Sequence, residues 1–138
     1  MIKDQISKSI FREYDIRGIV GKTLFENDAF TIGKGFCSFN KKKGLRKIVV
    51  CSDGRLSSPK ISSSLIKGII EAGINVVDIG CGPTPMLYFA SIFLNADAGI
   101  MVTGSHNPAD HNGFKIVLKN KSFYGDDIQK LYDFILKN

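Results

Sequence analysis

Short β-branched runs alternate along this chain with longer amphipathic segments, and that alternation restricts the fold more than any other feature. Residues Asp28 to Phe39 place Phe30, Ile32, Gly33, Phe36 and Cys37 at helical spacing, with Gly44 following as a stop. Lys47 to Cys51 reads Lys-Ile-Val-Val-Cys and is bounded by Asp53-Gly54, the pattern of a buried strand with a turn behind it. Ser58-Pro59 predicts a helix start, with Ser58 as N-cap and Pro59 at the first helical position, where a missing N–H costs nothing. Ile61, Leu65, Ile69 and Ile70 give that helix an apolar face, and Ala72-Gly73 closes it. Ile74 to Ile79 is a second strand. Thr84-Pro85 repeats the cap-then-proline device ahead of Met86, Leu87, Phe89, Ala90 and Phe93. Ala98 to Val102 is a third strand, Phe114 to Leu118 a fourth, and Asp126 to Leu136 a last helix.

Strands joined by helical crossovers pair in parallel, with helices on both faces of the sheet. Only a loop separates the third strand from the fourth, and so short a connection cannot make a parallel crossover. The expected fold class is therefore α/β: a three-layer α/β/α sandwich with a mixed, mostly parallel four-stranded sheet and an antiparallel last strand. At 138 residues the chain is the size of one domain with one core.

Bulk properties narrow the function classes. No apolar run reaches the roughly 20 residues that a bilayer span requires, so no membrane partner is expected. The N-terminus opens Met1-Ile2-Lys3-Asp4-Gln5 with no apolar stretch of signal-peptide type, so secretion is not expected either. Cys37, Cys51 and Cys81 are odd in number and form no CxxC pair, which reads as reduced thiols in a cytoplasmic protein. Cys51 and Cys81 fall near strand ends, where a small apolar residue packs well. A net charge of +6 suits nucleic acid, an anionic surface or a phosphorylated substrate. The densest basic stretch is Lys41-Lys42-Lys43 with Arg46 and Lys47. It has no interleaved aromatics and reads as a solvated helix end rather than a nucleic-acid surface.

The most informative stretch is Thr103-Gly104-Ser105-His106-Asn107-Pro108, which leaves the carboxyl end of a core strand, where open α/β sheets place their ligands. Gly104 permits a tight turn and close approach of a ligand, and Pro108 ends the turn so that Ser105 is presented. Such a loop also occurs as a plain connector. Its length and the concentration of Ser, His, Asn and Lys115 at one strand end favour a site. A phosphate-binding GxxxxGK[ST] loop is excluded because the chain enters a strand here, not a helix. A hydrolase elbow needs GxSxG, and Asn107 stands two residues after Ser105. His106 has no aspartate placed by sequence to orient it, which argues against a Ser-His hydrolase.

The run from Gly99 to Pro108, followed by Asp110-His111-Asn112-Gly113-Phe114-Lys115, closely resembles the phosphoserine loop of the α-D-phosphohexomutases, the phosphomannomutase/phosphoglucomutase group. Three further segments resemble that family in the same order: Phe11 to Gly18 (FREYDIRG), Ser52 to Ser57 (SDGRLS) and Gly82-Pro83-Thr84-Pro85. The resemblance covers almost the whole chain and implies that residues 1–138 form domain I, the phosphoserine-loop domain. The implied activity is that of an intramolecular phosphotransferase. A serine phosphorylated at rest gives its phosphoryl group to a hexose phosphate, the hexose 1,6-bisphosphate reorients, and the other phosphate returns to the serine.

By the same resemblance Ser105 is the phosphoryl carrier and, through its phosphate oxygen, a ligand of Mg²⁺. Lys115 matches the lysine near the reacting oxygen, with a plain exposed strand lysine as its alternative. Arg17 matches an arginine beside the phosphoserine, where a planar cation suits phosphate oxygens. His106 and Asn107 are expected to shape the loop and touch substrate, and Tyr14 to contact the sugar. Arg12, Asp15, Asp53 and Arg55 are expected to pair turns and strand ends, and His111 to be exposed and idle. Ser52 stands where many relatives carry arginine.

The family's Mg²⁺ carboxylates lie in a DGDGD loop of a second domain, and its sugar and distal-phosphate groups in a third and fourth. None of these occurs in this sequence, so domains II–IV are expected to be absent. Asp126-Asp127, the only paired carboxylates, read as the first turn of the last helix. Three readings follow: a piece of an active mutase completed by the other domains, in trans if need be; a truncated or split-gene product without activity; or a non-catalytic phosphate-binding or interaction module.

Overall fold

The run Ile48-Val49-Val50-Cys51 is apolar throughout because strand β2 (Lys47–Ser52) lies inside the sheet, with a strand on either side, and is covered on both faces. Ile48 and Val50 enter the larger of two apolar clusters, while Val49 and Cys51 enter the smaller one on the opposite face. In the computed structural model, which describes residues 5–138, β2 pairs in parallel with β3 (Asn75–Cys81) and with β4 (Ala98–Val102). Met1 to Asp4, the opening read above for a leader, lie outside the described residues. Strand β5 (His111–Leu118) runs antiparallel to β4, with Met101 opposite Lys115 and Val102 opposite Phe114. The short-connection argument therefore holds.

The sheet has six strands, two more than the hydrophobic pattern gave. Strand β1 (Ile16–Ile19) and strand β6 (Lys121–Phe123) share the far edge of β5, both antiparallel to it. The order is β1-β5-β4-β2-β3 with β6 beside β5. Helices α1 (Glu26–Phe39), α2 (Ser58–Glu71) and α4 (Asp126–Lys137) contribute to the large cluster on one face, and α3 (Thr84–Phe93) covers β2 and β4 on the other. The three-layer α/β/α architecture is thus as expected. No helix among the described residues is long and apolar enough to cross a membrane.

Several local expectations change. Asp28 sits inside the first turn of α1, where its carboxylate accepts the Phe25 N–H at 2.8 Å. Ser57, not Ser58, is the N-cap of α2, and it makes no side-chain cap bond. Ser58 is fully buried because its hydroxyl donates to Asp53 instead. Pro83, not Thr84, caps α3. Ile70 lies on the exposed side of α2. Cys81 is exposed, because β3 is an edge strand, whereas Cys37 and Cys51 are buried. Burial without a hydrogen-bond donor pushes the Cys37 thiol up to about 12, so it stays protonated and inert. Lys41–Lys43 form an exposed 3₁₀ turn ending on Gly44, and Asp126 and Asp127 open α4, both as read.

Candidate functional site

Alternation along β5 divides its side chains between the faces. Phe114, Ile116 and Leu118 enter the large cluster, so Gly113, Lys115 and Val117 face the α3 side. Cross-strand partners share a face, which places Arg17, opposite Gly113, on that same side. The loop between β4 and β5 closes over this corner. It contains Ser105.

The loop is held by two charged residues of the turn after β2. Asp53 accepts four hydrogen bonds: from the Arg55 N–H and the Ser58 hydroxyl on Oδ1, and from the Gly104 N–H and Arg55 Nε on Oδ2. Burial opposes its charge, but donors from Ser58, Gly104, Arg55 and Thr103 outweigh that cost and hold its carboxyl below the usual value. Arg55 in turn donates to the carbonyl oxygens of Ser105 (3.0 Å), Asn107 (2.7 Å), His111 (3.2 Å) and Pro108. Asn112, fully buried, donates to the hydroxyls of Ser57 and Ser58 and so ties the start of β5 to the start of α2.

Ser105 has φ of 54°, the left-handed region that a non-glycine residue occupies at a cost of about 1–3 kcal/mol. Its N–H donates to the Thr103 hydroxyl at 2.9 Å, and its carbonyl is held by Arg55. The turn continues with the Asn107 N–H and Nδ2 both donating to the Gly104 carbonyl. Gly104 does not have a positive φ, and what approaches it closely is not left to a ligand. A Cβ there would lie 2.1 Å from Cζ and Nε of Arg55, so the space reserved for a ligand is filled by the guanidinium itself.

Arg17 reaches the same carbonyl. Its Nη1 donates to the Gly104 oxygen and its Nη2 to Asp15 at 2.6 Å, while its Nε, buried, has no partner among the described residues. The side chain is 3% exposed. Arg17, Ser105 and Asn107 are thus brought together around Gly104. Lys115 lies two residues beyond Gly113 on the same face, half-buried and in no ion pair among the described residues. His106 is exposed on the loop. Tyr14 is 71% exposed and stacks on Tyr124, a residue the sequence did not single out, with ring centroids 6.3 Å apart. His111 is not idle: its ring, 17% exposed, pairs with Asp110 at 2.8 Å and its carbonyl serves Arg55.

Asp53 and Arg55 pair the turn after β2 with the loop at the end of β4, in the structural role expected of them. One signal pointed to them: β2 and β4 are parallel neighbours, so the turn after one must lie beside the loop after the other. The carboxylates present do not by themselves make a Mg²⁺ site. Among the described residues no group of three or more His, Cys, Asp or Glu side chains is placed to hold a metal ion, and both oxygens of Asp53 are taken.

Residues 8–138 match the family model described as phosphoglucomutase/phosphomannomutase, alpha/beta/alpha domain I. A phosphoglucomutase of Neisseria meningitidis serogroup B is 45% identical over 133 residues, 96% of this chain and 29% of that protein. A phosphomannomutase/phosphoglucomutase of Pseudomonas putida is 46% identical over 131 residues, 95% of this chain and 28% of that protein. A crystal structure of a phosphoglucomutase/phosphomannomutase family protein from Burkholderia thailandensis superposes with a TM-score of 0.90 at 47% identity, covering 96% of this chain and 31% of the other. The chain therefore spans less than a third of the length of these relatives.

Proposed function

Because the chain belongs to the phosphoglucomutase/phosphomannomutase family, as its domain I, we propose that it supplies the phosphoserine of a hexose-phosphate mutase, with Ser105 as the phosphoryl carrier. The observation that carries this reading is Ser105 itself. It sits in a left-handed conformation on the loop leaving β4, directly after the Gly104 carbonyl that the buried Arg17 guanidinium holds, and Arg17 Nε has no partner among the described residues. A fixed planar cation at the peptide preceding the serine suits phosphate oxygens. Phosphoryl transfer asks for little beyond such positioning and charge neutralisation.

In this reading Ser105 Oγ, phosphorylated at rest, loses its phosphoryl group to a hydroxyl of a hexose monophosphate. A bisphosphate forms, and the Ser105 alkoxide takes up the proton released by the attacking hydroxyl. After the sugar turns, Ser105 Oγ attacks the other phosphate, the sugar O–P bond breaks, the serine proton passes to the leaving sugar oxygen, and Ser105 is phosphorylated again. Lys115 moves the proton or neutralises charge at the reacting oxygen. Arg17 holds phosphate oxygens, His106 and Asn107 shape the loop and meet the sugar phosphate, and Tyr14 meets the sugar. Mg²⁺ would supply charge neutralisation at the phosphoserine, with its carboxylates coming from outside residues 1–138. The sugar-orienting and distal-phosphate groups would likewise come from domains II–IV, in the same polypeptide or in trans. A cytoplasmic setting suits reduced thiols and a phosphorylated substrate.

The test is reconstitution. Purified residues 1–138 with Mg²⁺ and a hexose 1,6-bisphosphate should not interconvert hexose 1- and 6-phosphates. Adding the remaining domains of a close relative as a separate polypeptide should restore turnover. Robust mutase activity from the isolated chain would refute this division of labour.

A further inference from the structure

We propose that Arg55 is the positioning residue of the Ser105 loop: a guanidinium fully consumed by loop acceptors, which fixes the serine's conformation and itself takes no phosphate. The proposal deepens the reading of Ser105 as phosphoryl carrier and rests on it. Arginine has five N–H donors in a rigid fork. Here all five have acceptors: Nε on Asp53, Nη1 on the carbonyls of Pro108 and His111, and Nη2 on those of Ser105 and Asn107. Four of the five acceptors fall between residues 105 and 111. The turn after β2 thus grips nearly the whole connection into β5 through one side chain.

Arg17 and Arg55 look alike in sequence, as arginines of two ordered motifs, and the geometry separates them. Arg17 keeps a buried Nε without a partner among the described residues, so it has a donor to offer a ligand. Arg55 has none left. Its plane lies against Gly104 so closely that a Cβ there would stand 2.1 Å from Cζ. The cost of the left-handed Ser105 is therefore met from behind, by Arg55 on the Ser105 carbonyl and Thr103 on the Ser105 N–H.

The clamp also has an electrostatic consequence. A carbonyl oxygen aimed at a phosphate would repel it. In a trans peptide the N–H points opposite to the C=O. Drawing the Ser105 carbonyl onto Arg55 turns the His106 N–H the other way, and drawing in the Pro108 carbonyl does the same for the Ala109 N–H. Arg55 thus acts through the backbone it orders, and lysine cannot replace it, since a single ammonium cannot span four carbonyls in one plane.

The experiment compares wild type, Arg55→Ala, Arg55→Lys and Ser105→Ala in residues 1–138, by amide hydrogen exchange and by side-chain ¹⁵N NMR of the wild type. The expected result is exchange at Gly104, Ser105 and Asn107 at least tenfold faster in Arg55→Ala. Exchange at Val49 and Val50 of β2 should change no more than the shift in global stability requires. Free guanidinium added to Arg55→Ala should slow the loop again, and Arg55→Lys should not be slow. In the wild type, the two Arg55 Nη groups should give separate, slowly rotating signals, a readout that needs no variant to fold. Rotationally averaged Nη signals, or loop exchange unchanged by Arg55→Ala, would overturn the proposal. In the reconstituted enzyme Arg55→Ala should lower kcat by about tenfold or more with KM for the sugar phosphate little changed. A rise in KM alone would mean that Arg55 binds substrate and would also overturn it. Ser105→Ala should leave loop exchange slow; if that variant is active, the phosphoryl-carrier reading fails while the loop measurements still decide the clamp.

Discussion

Replacing Gly68 by alanine should lower stability, although alanine is the better helix former. Helices α1 and α2 cross with their backbones in contact. A Cβ on Gly68 would lie 2.1 Å from the Phe30 carbonyl oxygen and 2.9 Å from the Lys34 nitrogen, and a Cβ on Gly33 would lie 2.5 Å from the Leu65 oxygen. In an open helix the substitution would stabilise by about 1 kcal/mol through backbone propensity. Here the obstructing atoms are main chain and cannot swing aside, so the helices must separate, and overpacking of that kind costs about 1–3 kcal/mol, occasionally more. Separation also loosens Ile32, Phe36, Leu65 and Ile69, which fill the core beneath the crossing. The expected net loss is up to about 2 kcal/mol, or a fall in Tm of up to about 8 °C for a domain of this size. Thermal and urea unfolding would measure it. Gly54→Ala is the control, because a Cβ there meets nothing within 4 Å, and it should shift stability by less than about 0.5 kcal/mol. A Gly68→Ala variant more stable than wild type would refute the close-crossing argument.

Two further outcomes follow from the site and the surface. The carboxyl of Asp53 is held below its ordinary 3.8 in the fold. The unfolded chain therefore binds its proton more readily. Its stabilisation is full above the unfolded value and is lost as pH falls through the folded one, below about pH 4. Asp97 shifts the same way, so the contribution of Asp53 is read as the difference between wild type and Asp53→Asn in urea unfolding. That difference should shrink on acidification, and a pH-independent difference would contradict the assignment. On α3, Phe89, Ile92 and Phe93 are each about two-thirds or more exposed, and Phe89 stacks on Phe93 at 5.5 Å. Apolar patches of this kind drive association. Residues 1–138 should self-associate with rising concentration in sedimentation experiments, and Phe89→Ser with Phe93→Ser should abolish it; a strict monomer at high concentration would count against this.

What the sequence made legible was whatever depends on local pattern. The apolar run at Ile48 to Cys51 announces a covered central strand, and the short step from Val102 to Phe114 forces β5 to turn back. Strand β1 escaped because Ile16-Arg17-Gly18-Ile19 has neither alternation nor an apolar run: its arginine is buried by a partner 87 residues away. Strand β6 escaped because three residues, two of them exposed, carry no periodicity. At the site, the importance of the Ser105 loop was legible, but its mechanics were not. Gly104 suggested room for a ligand, whereas the room belongs to Arg55, whose contacts to the loop span 50 to 56 residues of sequence. Cys81 was expected to pack because it ends a strand. Whether that strand lies at an edge depends on the order of the whole sheet.

The most direct test of the account is the location of the phosphoryl group during turnover. The enzyme reconstituted from residues 1–138 and the remaining mutase domains would be incubated with a hexose 1,6-bisphosphate labelled in both phosphates, and the modified peptide identified by tandem mass spectrometry. The label should appear on Ser105, leave on addition of unlabelled hexose monophosphate, and be absent, together with activity, in Ser105→Ala. Label on a different residue, or turnover that survives Ser105→Ala, would contradict the central claim.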